Sequence, residues 1–182
     1  HFLFNSMNTI ASLTRTDPER AEEAVEDLAD LFRANLKEAR SWIPLKEELE
    51  IARIYQRIEQ LRLGERLKVK WEIAELPMRA LVPSLLVQPL LENAVYHGIE
   101  RLPDGGSIVI AGSCDGERIE LSVSNPVPPD DIVLKHSGNG IALDNIQQRL
   151  QLAWPNASRV ELQTEPGIYR VVLSFPLQER EH

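Results

Sequence analysis

The chain is nearly devoid of cysteine: Cys114 is the only one in 182 residues. A disulfide framework and a thiolate metal cluster are thereby excluded, and a reducing compartment is the natural setting. Cys114 reads as a small core residue near a strand end. A run approaching the roughly 20 apolar residues of a membrane-spanning helix is missing too, and so is a signal-peptide pattern. There is no surplus of basic residues. The 28 Asp and Glu outnumber the 20 Lys and Arg, for a net charge of -8, which argues against nucleic acid or an anionic membrane as a direct partner. Internal repeats and low-complexity tracts are absent. The opening "HFLFN" lacks a Met and starts on a helical pattern, so it reads as a segment whose upstream part lies elsewhere.

What is present is periodic. On a helical wheel, His1, Asn5, Asn8 and Ser12 share one stripe of "HFLFNSMNTIASL", while Leu3, Phe4, Met7, Ile10 and Ala11 cover the other face. "TRTDPE" then offers either a Thr16/Glu19 capping box or an Asp17 cap with Pro18 in the first helical position. A second helix is expected at about 18–39, with Leu28, Leu31 and Phe32 on its apolar face. So small a hairpin has too little core of its own, and it is expected to pair with a second copy as a four-helix dimer through Leu3, Met7, Ile10, Leu28, Leu31 and Phe32. Beyond residue 40 the texture changes. A short extended piece ends at Pro44, a helix follows to Gly64, and Leu67, Val69, Trp71 and Ile73 alternate as a strand. "VPSLLVQPLLENAVYHG" reads as one helix from Pro83 to Gly98, within which Pro89 marks a kink or a second start. Two hairpins turn at Asp115-Gly116 and Pro166-Gly167, on either side of a long loop and the helix "GIALDNIQQRLQLAW". Hairpins outnumber crossover units, so the expected fold is α+β: a helical hairpin followed by an α/β sandwich, a mixed sheet with helices on one face. The loop over 126–140 is long enough to be a lid.

Three stretches carry chemistry. In "LLENAVYHG", Glu92, Asn93 and His97 interrupt an otherwise apolar helix, with 93 and 97 one turn apart. One Asn oxygen together with phosphate oxygens would suit Mg²⁺, a hard cation that keeps waters; a capped helix end with polar residues in solvent would look the same. In "HSGNGIALDN", Gly138 and Gly140 stand where a loop enters a helix, so the backbone can approach a phosphate near free N–H groups. In "SVSNP", Asn125 ends a strand where it could read the edge of a base. His1 adds an exposed imidazole, usable as a nucleophile, although a lone surface histidine is as often a bystander.

Together, "HFLFNSMNTI", "PSLLVQPLLENAVYHG" and "GNGIALDNIQQRL", in this order and spacing, resemble the LytS-type sensor histidine kinases over essentially the whole chain. The three stretches look like the family's H box, N box and second glycine box. The resemblance implies a dimerisation and phosphoacceptor hairpin over 1–40. It implies an ATP-binding domain over 41–182, of the fold shared by Hsp90, gyrase, histidine kinases and MutL. It makes His1 the phosphoacceptor and Glu92 the acid that polarises the attacking group; Asn5, one turn on from His1, could itself orient the ring or a water. Asn93 becomes the Mg²⁺ ligand, with His97, Asn125, Gly138 and Gly140 around ATP. It further implies a homodimer through the hairpin, a DNA-binding response regulator as partner, no direct contact with nucleic acid, and a cytoplasmic position below an upstream inner-membrane segment. The chain departs from the family pattern at Phe2, where an acidic residue is common, at Tyr96 in place of Lys, and at Asn125 in place of the adenine-reading Asp. The alternative reading is a dimeric signalling scaffold with weak or no nucleotide binding.

Overall fold

The computed structural model describes residues 2–36, 41–129 and 140–179. The hairpin consists of α1 (Phe2–Thr16) and α2 (Pro18–Leu36). Of the two possible caps, Asp17 is the one used: its Oδ1 accepts from the Arg20 N–H at 3.2 Å, with Pro18 opening the helix. The expected last residues of α2, 37–39, lie outside the described part.

Then follow β1 (Trp42–Pro44) and α3 (Leu45–Leu63), which ends at Gly64 with φ 57°. The left-handed backbone there suits glycine. After β2 (Leu67–Glu72), the stretch expected as one helix from Pro83 is divided. Leu81–Pro83 form a short strand, β3, paired antiparallel with β1, and α4 covers Val87–His97. Pro89 therefore marks a start: it lies in the first turn of α4, where its missing N–H has no helical acceptor in any case. The remaining elements are β4 (Gly106–Cys114), β5 (Arg118–Pro126), α5 (Gly140–Ala153), β6 (Arg159–Glu165) and β7 (Ile168–Pro176). Cys114 is half-buried at the end of β4.

The five-stranded sheet runs β2-β4-β5-β7-β6. Only β2 and β4 pair parallel; the other neighbours are antiparallel. The mixed sheet is thus the expected one. Along β5, Ile119, Leu121, Val123 and Asn125 point inward, facing Phe175, Leu173, Val171 and Tyr169 of β7. Leu90, Leu91, Ala94 and Val95 of α4 and Ile146 and Leu150 of α5 complete the same core. Apolar burial of this kind is the main favourable term in folding.

The hairpin corrects one expectation. Leu28 and Leu31 are not free for a second copy; they belong to this chain's own core, with Leu31 only 1% exposed, because α2 packs along α3. Leu3, Phe4, Met7, Val25 and Phe32 remain exposed, Phe4 by 71%.

The start of α4 is held from a distance. Leu85 takes a left-handed φ of 62°, which costs a branched residue free energy and persists only where its surroundings enforce it. The Leu85, Leu86 and Val87 N–H groups all donate to the Glu48 carboxylate of α3, at 3.1, 2.6 and 3.0 Å. Glu48 is 1% exposed. Burial pushes its pKa above the ordinary carboxylate value, opposed by the three N–H donors and by the charge of Arg149. Glu48→Ala would leave three buried donors without acceptors and release the turn. We expect it to destabilise the protein by about 3 kcal/mol, and Glu48→Gln, which keeps one oxygen, by less. Urea unfolding midpoints equal to the unmutated protein's would show that Glu48 does not hold α4.

Candidate functional site

Helix α4 is apolar along its buried face and polar toward its exposed side and its end. The Gln88 amide donates to Glu92 Oε1 at 2.9 Å, one turn along the helix. Burial raises the Glu92 pKa, and the bond from Gln88 works against that rise. A carboxylate so placed is oriented, partly desolvated and a better proton acceptor than one in water. Asn93 stands beside it, half-buried, and makes no side-chain hydrogen bond among the described residues.

Both side chains line a cavity of about 270 Å³ between α1, α3 and α4. Phe2 and Asn5 of α1 form one wall, and Tyr55, Glu59 and Arg62 of α3 another. Arg62 Nη2 donates to Glu59 at 2.6 Å and also to Glu100 just beyond α4, so one guanidinium ties α3 to the segment that follows α4. Glu59 is almost wholly buried, and burial lifts its pKa although Arg62 pulls the other way. The Tyr55 hydroxyl is pushed well above its usual range by burial, then by Glu59 and Glu92.

His97 lies one turn beyond Asn93. Its ring meets that of Tyr96 edge to face, with centroids 4.8 Å apart. Desolvation, then Arg101, lowers its pKa against the pull of Glu100, and so favours the neutral imidazole. The next residue, Gly98, ends α4 and leaves room for Asn125: a Cβ there would stand 2.3 Å from Asn125 Nδ2 and 2.6 Å from the Ala94 carbonyl oxygen. Asn125 itself is 4% exposed, and its Nδ2 donates to the Pro126 carbonyl oxygen at 3.0 Å. That bond uses the amide as donor and leaves Oδ1 as an acceptor. Gly140 is the first residue of α5, and α5 touches α4.

Of the residues singled out from sequence, Asn5, Glu92 and Asn93 come together around one cavity. Asn125 packs against Gly98, the residue after His97, at the far end of the same helix. His1, Gly138 and most of the lid stretch lie outside the described residues. Glu48, Gln88, Glu59 and Arg62 were missed. The signal for Glu48 was its place on the apolar stripe of α3 between Leu45 and Ala52; that for Gln88 was its spacing of one turn from Glu92.

The donor set is suited to Mg²⁺ rather than to a metal caged by protein. Among the described residues no group of three or more His, Cys, Asp or Glu could hold an ion. Asn93 instead offers one unpartnered carboxamide beside a cavity, the kind of single ligand a hard cation accepts when phosphate oxygens and waters supply the rest.

The model of the histidine kinase family matches residues 1–67. Sensor histidine kinase BtsS of Escherichia coli (strain K12) is 32% identical over 98% of this chain, which covers 32% of that protein. Sensor protein LytS of Staphylococcus saprophyticus is 30% identical over 100% of the chain, again 32% of the relative. The chain thus spans about a third of the length of the curated relatives it matches. Among solved structures, full-length ShkA in complex with AMPPNP aligns with a TM-score of 0.55 at 17% identity, covering 87% of this chain and 36% of that one. That likeness shows the fold, the ATPase-type α/β sandwich of histidine kinases. With the relatives aligned across the hairpin, the α4 motif and the last helix alike, the chain belongs to the LytS-type sensor histidine kinase family.

Proposed function

We propose that this chain is the kinase core of a two-component sensor, which phosphorylates His1 from Mg·ATP and passes the phosphoryl group to an aspartate of a response regulator. The observation that carries the reading is the cavity where Asn5 of the phosphoacceptor helix meets Glu92 and Asn93. Phosphoryl transfer asks the protein for positioning and charge neutralisation more than for covalent help. Asn93 would hold Mg²⁺, which would supply charge neutralisation to the phosphates. An imidazole nitrogen of His1 attacks the γ-phosphorus in line. The bond to the bridging oxygen breaks, and ADP leaves with that oxygen. Positive charge develops on the ring and its second N–H becomes acidic; the Glu92 carboxylate accepts that hydrogen bond and then the proton, while Asn5 orients the ring. Asn125 Oδ1 accepts from the adenine amino group, neutral His97 packs beside the nucleotide, and Gly138 and Gly140 let the lid close on the phosphates.

No helix among the described residues is long and apolar enough to cross a membrane. The chain serves as the cytoplasmic part of a membrane-anchored sensor, and its DNA-binding partner, not the chain itself, meets nucleic acid. It pairs with a second copy through the exposed face of the hairpin, where Leu3, Phe4, Met7, Val25 and Phe32 are left uncovered. The scaffold alternative is disfavoured by Glu92, since a site without chemical work gains nothing from a desolvated carboxylate.

Three measurements test this reading. His1→Gln in the full-length protein is expected to abolish acid-labile, base-stable labelling from γ-labelled Mg·ATP while nucleotide affinity stays the same; surviving acid-labile label would refute the assignment. Asn125→Ala removes one neutral hydrogen bond, worth about 1 kcal/mol, and should weaken ATP binding about fivefold by calorimetry. An unchanged Kd takes base reading away from Asn125, and no binding by either protein favours the scaffold. Met7→Glu on the exposed face of α1 is expected to shift the protein from dimer toward monomer in light scattering, with its thermal midpoint little changed; an intact dimer would place the interface elsewhere.

A further inference from the structure

Which catalytic domain serves a given phosphoacceptor helix depends on where that helix docks. Here α2 lies along α3 of the same chain, with Leu28 and Leu31 buried in the shared core. The two helices are also joined by a two-pronged ion pair. Arg57 Nε donates to Asp27 Oδ2 at 3.1 Å, and Nη2 donates to Oδ1 at 2.9 Å. Helix α1 follows its partner onto the same surface. The Phe2 ring sits 5.0 Å from that of Tyr55 in α3, and Asn5 reaches the cavity of Glu92 and Asn93. The first turn of α1 and the polar side of α4 therefore meet within one chain, and His1 is bonded directly to Phe2. Serving a second copy instead would require the hairpin to leave α3, uncovering two leucines and separating Asp27 from Arg57.

We infer that the ATP site phosphorylates the histidine of its own chain, with the Asp27–Arg57 pair as the latch that holds the hairpin against the catalytic domain. This rests on the kinase reading above and specifies its substrate. Two guanidinium N–H groups on one carboxylate set direction as well as attraction, so the pair fixes the angle of α2 on α3. In-chain transfer makes each catalytic domain answer to the posture of its own hairpin.

The test uses the full-length protein with two different tags, one chain carrying His1→Gln and the other Asn93→Ala. The mixed dimer is isolated through both tags and incubated with γ-labelled Mg·ATP beside the unmutated dimer. The unmutated dimer is expected to take up acid-labile label and the mixed dimer to stay blank. Label on the Asn93→Ala chain overturns the inference. An unlabelled unmutated dimer overturns the kinase reading, and this inference with it. Where no mixed dimer can be isolated, the Met7→Glu protein made monomeric decides: labelling that persists in the monomer supports transfer within the chain, and labelling that vanishes while ATP affinity is kept overturns it. The latch is tested separately. Asp27→Ala should slow labelling about threefold without changing ATP affinity, and the exchanged pair Asp27→Arg with Arg57→Asp should restore it. A rate unmoved by Asp27→Ala removes the latch.

Discussion

Everything at the site depends on a carboxylate that takes no part in it. Helix α4 carries Glu92, Asn93 and His97, and its first turn is set by Glu48 of α3, which accepts three consecutive N–H groups. A helix start needs acceptors for its free donors, and usually the adjacent side chain supplies one. Here the acceptor comes from another element, so capping the helix also fixes its place. The arrangement carries a desolvation cost, which the burial-raised pKa of Glu48 records. What it secures is a rigid α4: the left-handed Leu85 before it, Gln88 bonded to Glu92 within it, and Gly98 closing against Asn125 after it.

Much of the layout was legible in the sequence because each element obeys one period. The helix α3, the two hairpins around Asp115-Gly116 and Pro166-Gly167, and the helix opening at Gly140 stand where the patterns place them. The failure around residues 81–86 has a physical cause. "VPSLLVQPLL" is apolar but for Ser84 and Gln88, too few polar positions to show a period that would separate a three-residue strand from a helix. The division is imposed by partners far away in the chain: β1, which pairs with β3, and Glu48, which caps α4. Acidic residues conceal burial for a related reason. "KEELE" looks like a solvated helix start, yet Glu48 falls on the inward stripe of α3, as Glu59 does farther along.

The site was legible where a polar residue interrupts an apolar pattern. Glu92 and Asn93 do so on a helix, and Asn125 does so in the inward row of Ile119, Leu121 and Val123. The structure adds why an amide can stand at position 125. It is uncharged, so it can be buried among these neighbours, and it satisfies the Pro126 carbonyl oxygen with its own N–H while presenting an acceptor elsewhere. The hairpin was half legible. Its amphipathic helices were plain, but two faces compete for the name of inner face, and sequence cannot say that Leu28 and Leu31 go to α3 while Leu3, Phe4 and Met7 do not.

The smallest sheet in the molecule has a mechanical meaning. Strand β1 stands shortly after the hairpin and β3 shortly before α4, and the two are stitched by pairing, by Ser84 N–H to the Ser41 carbonyl oxygen at 3.0 Å, and by Leu45 N–H to the Ala80 carbonyl oxygen at 2.8 Å. Some forty residues of chain separate these segments along the backbone, yet a few hydrogen bonds separate them in space. A twist or pull arriving at Trp42 is thus delivered to the doorstep of α4 directly, without travelling through the large sheet. The ribbon is a short link between the end of the hairpin and the start of α4.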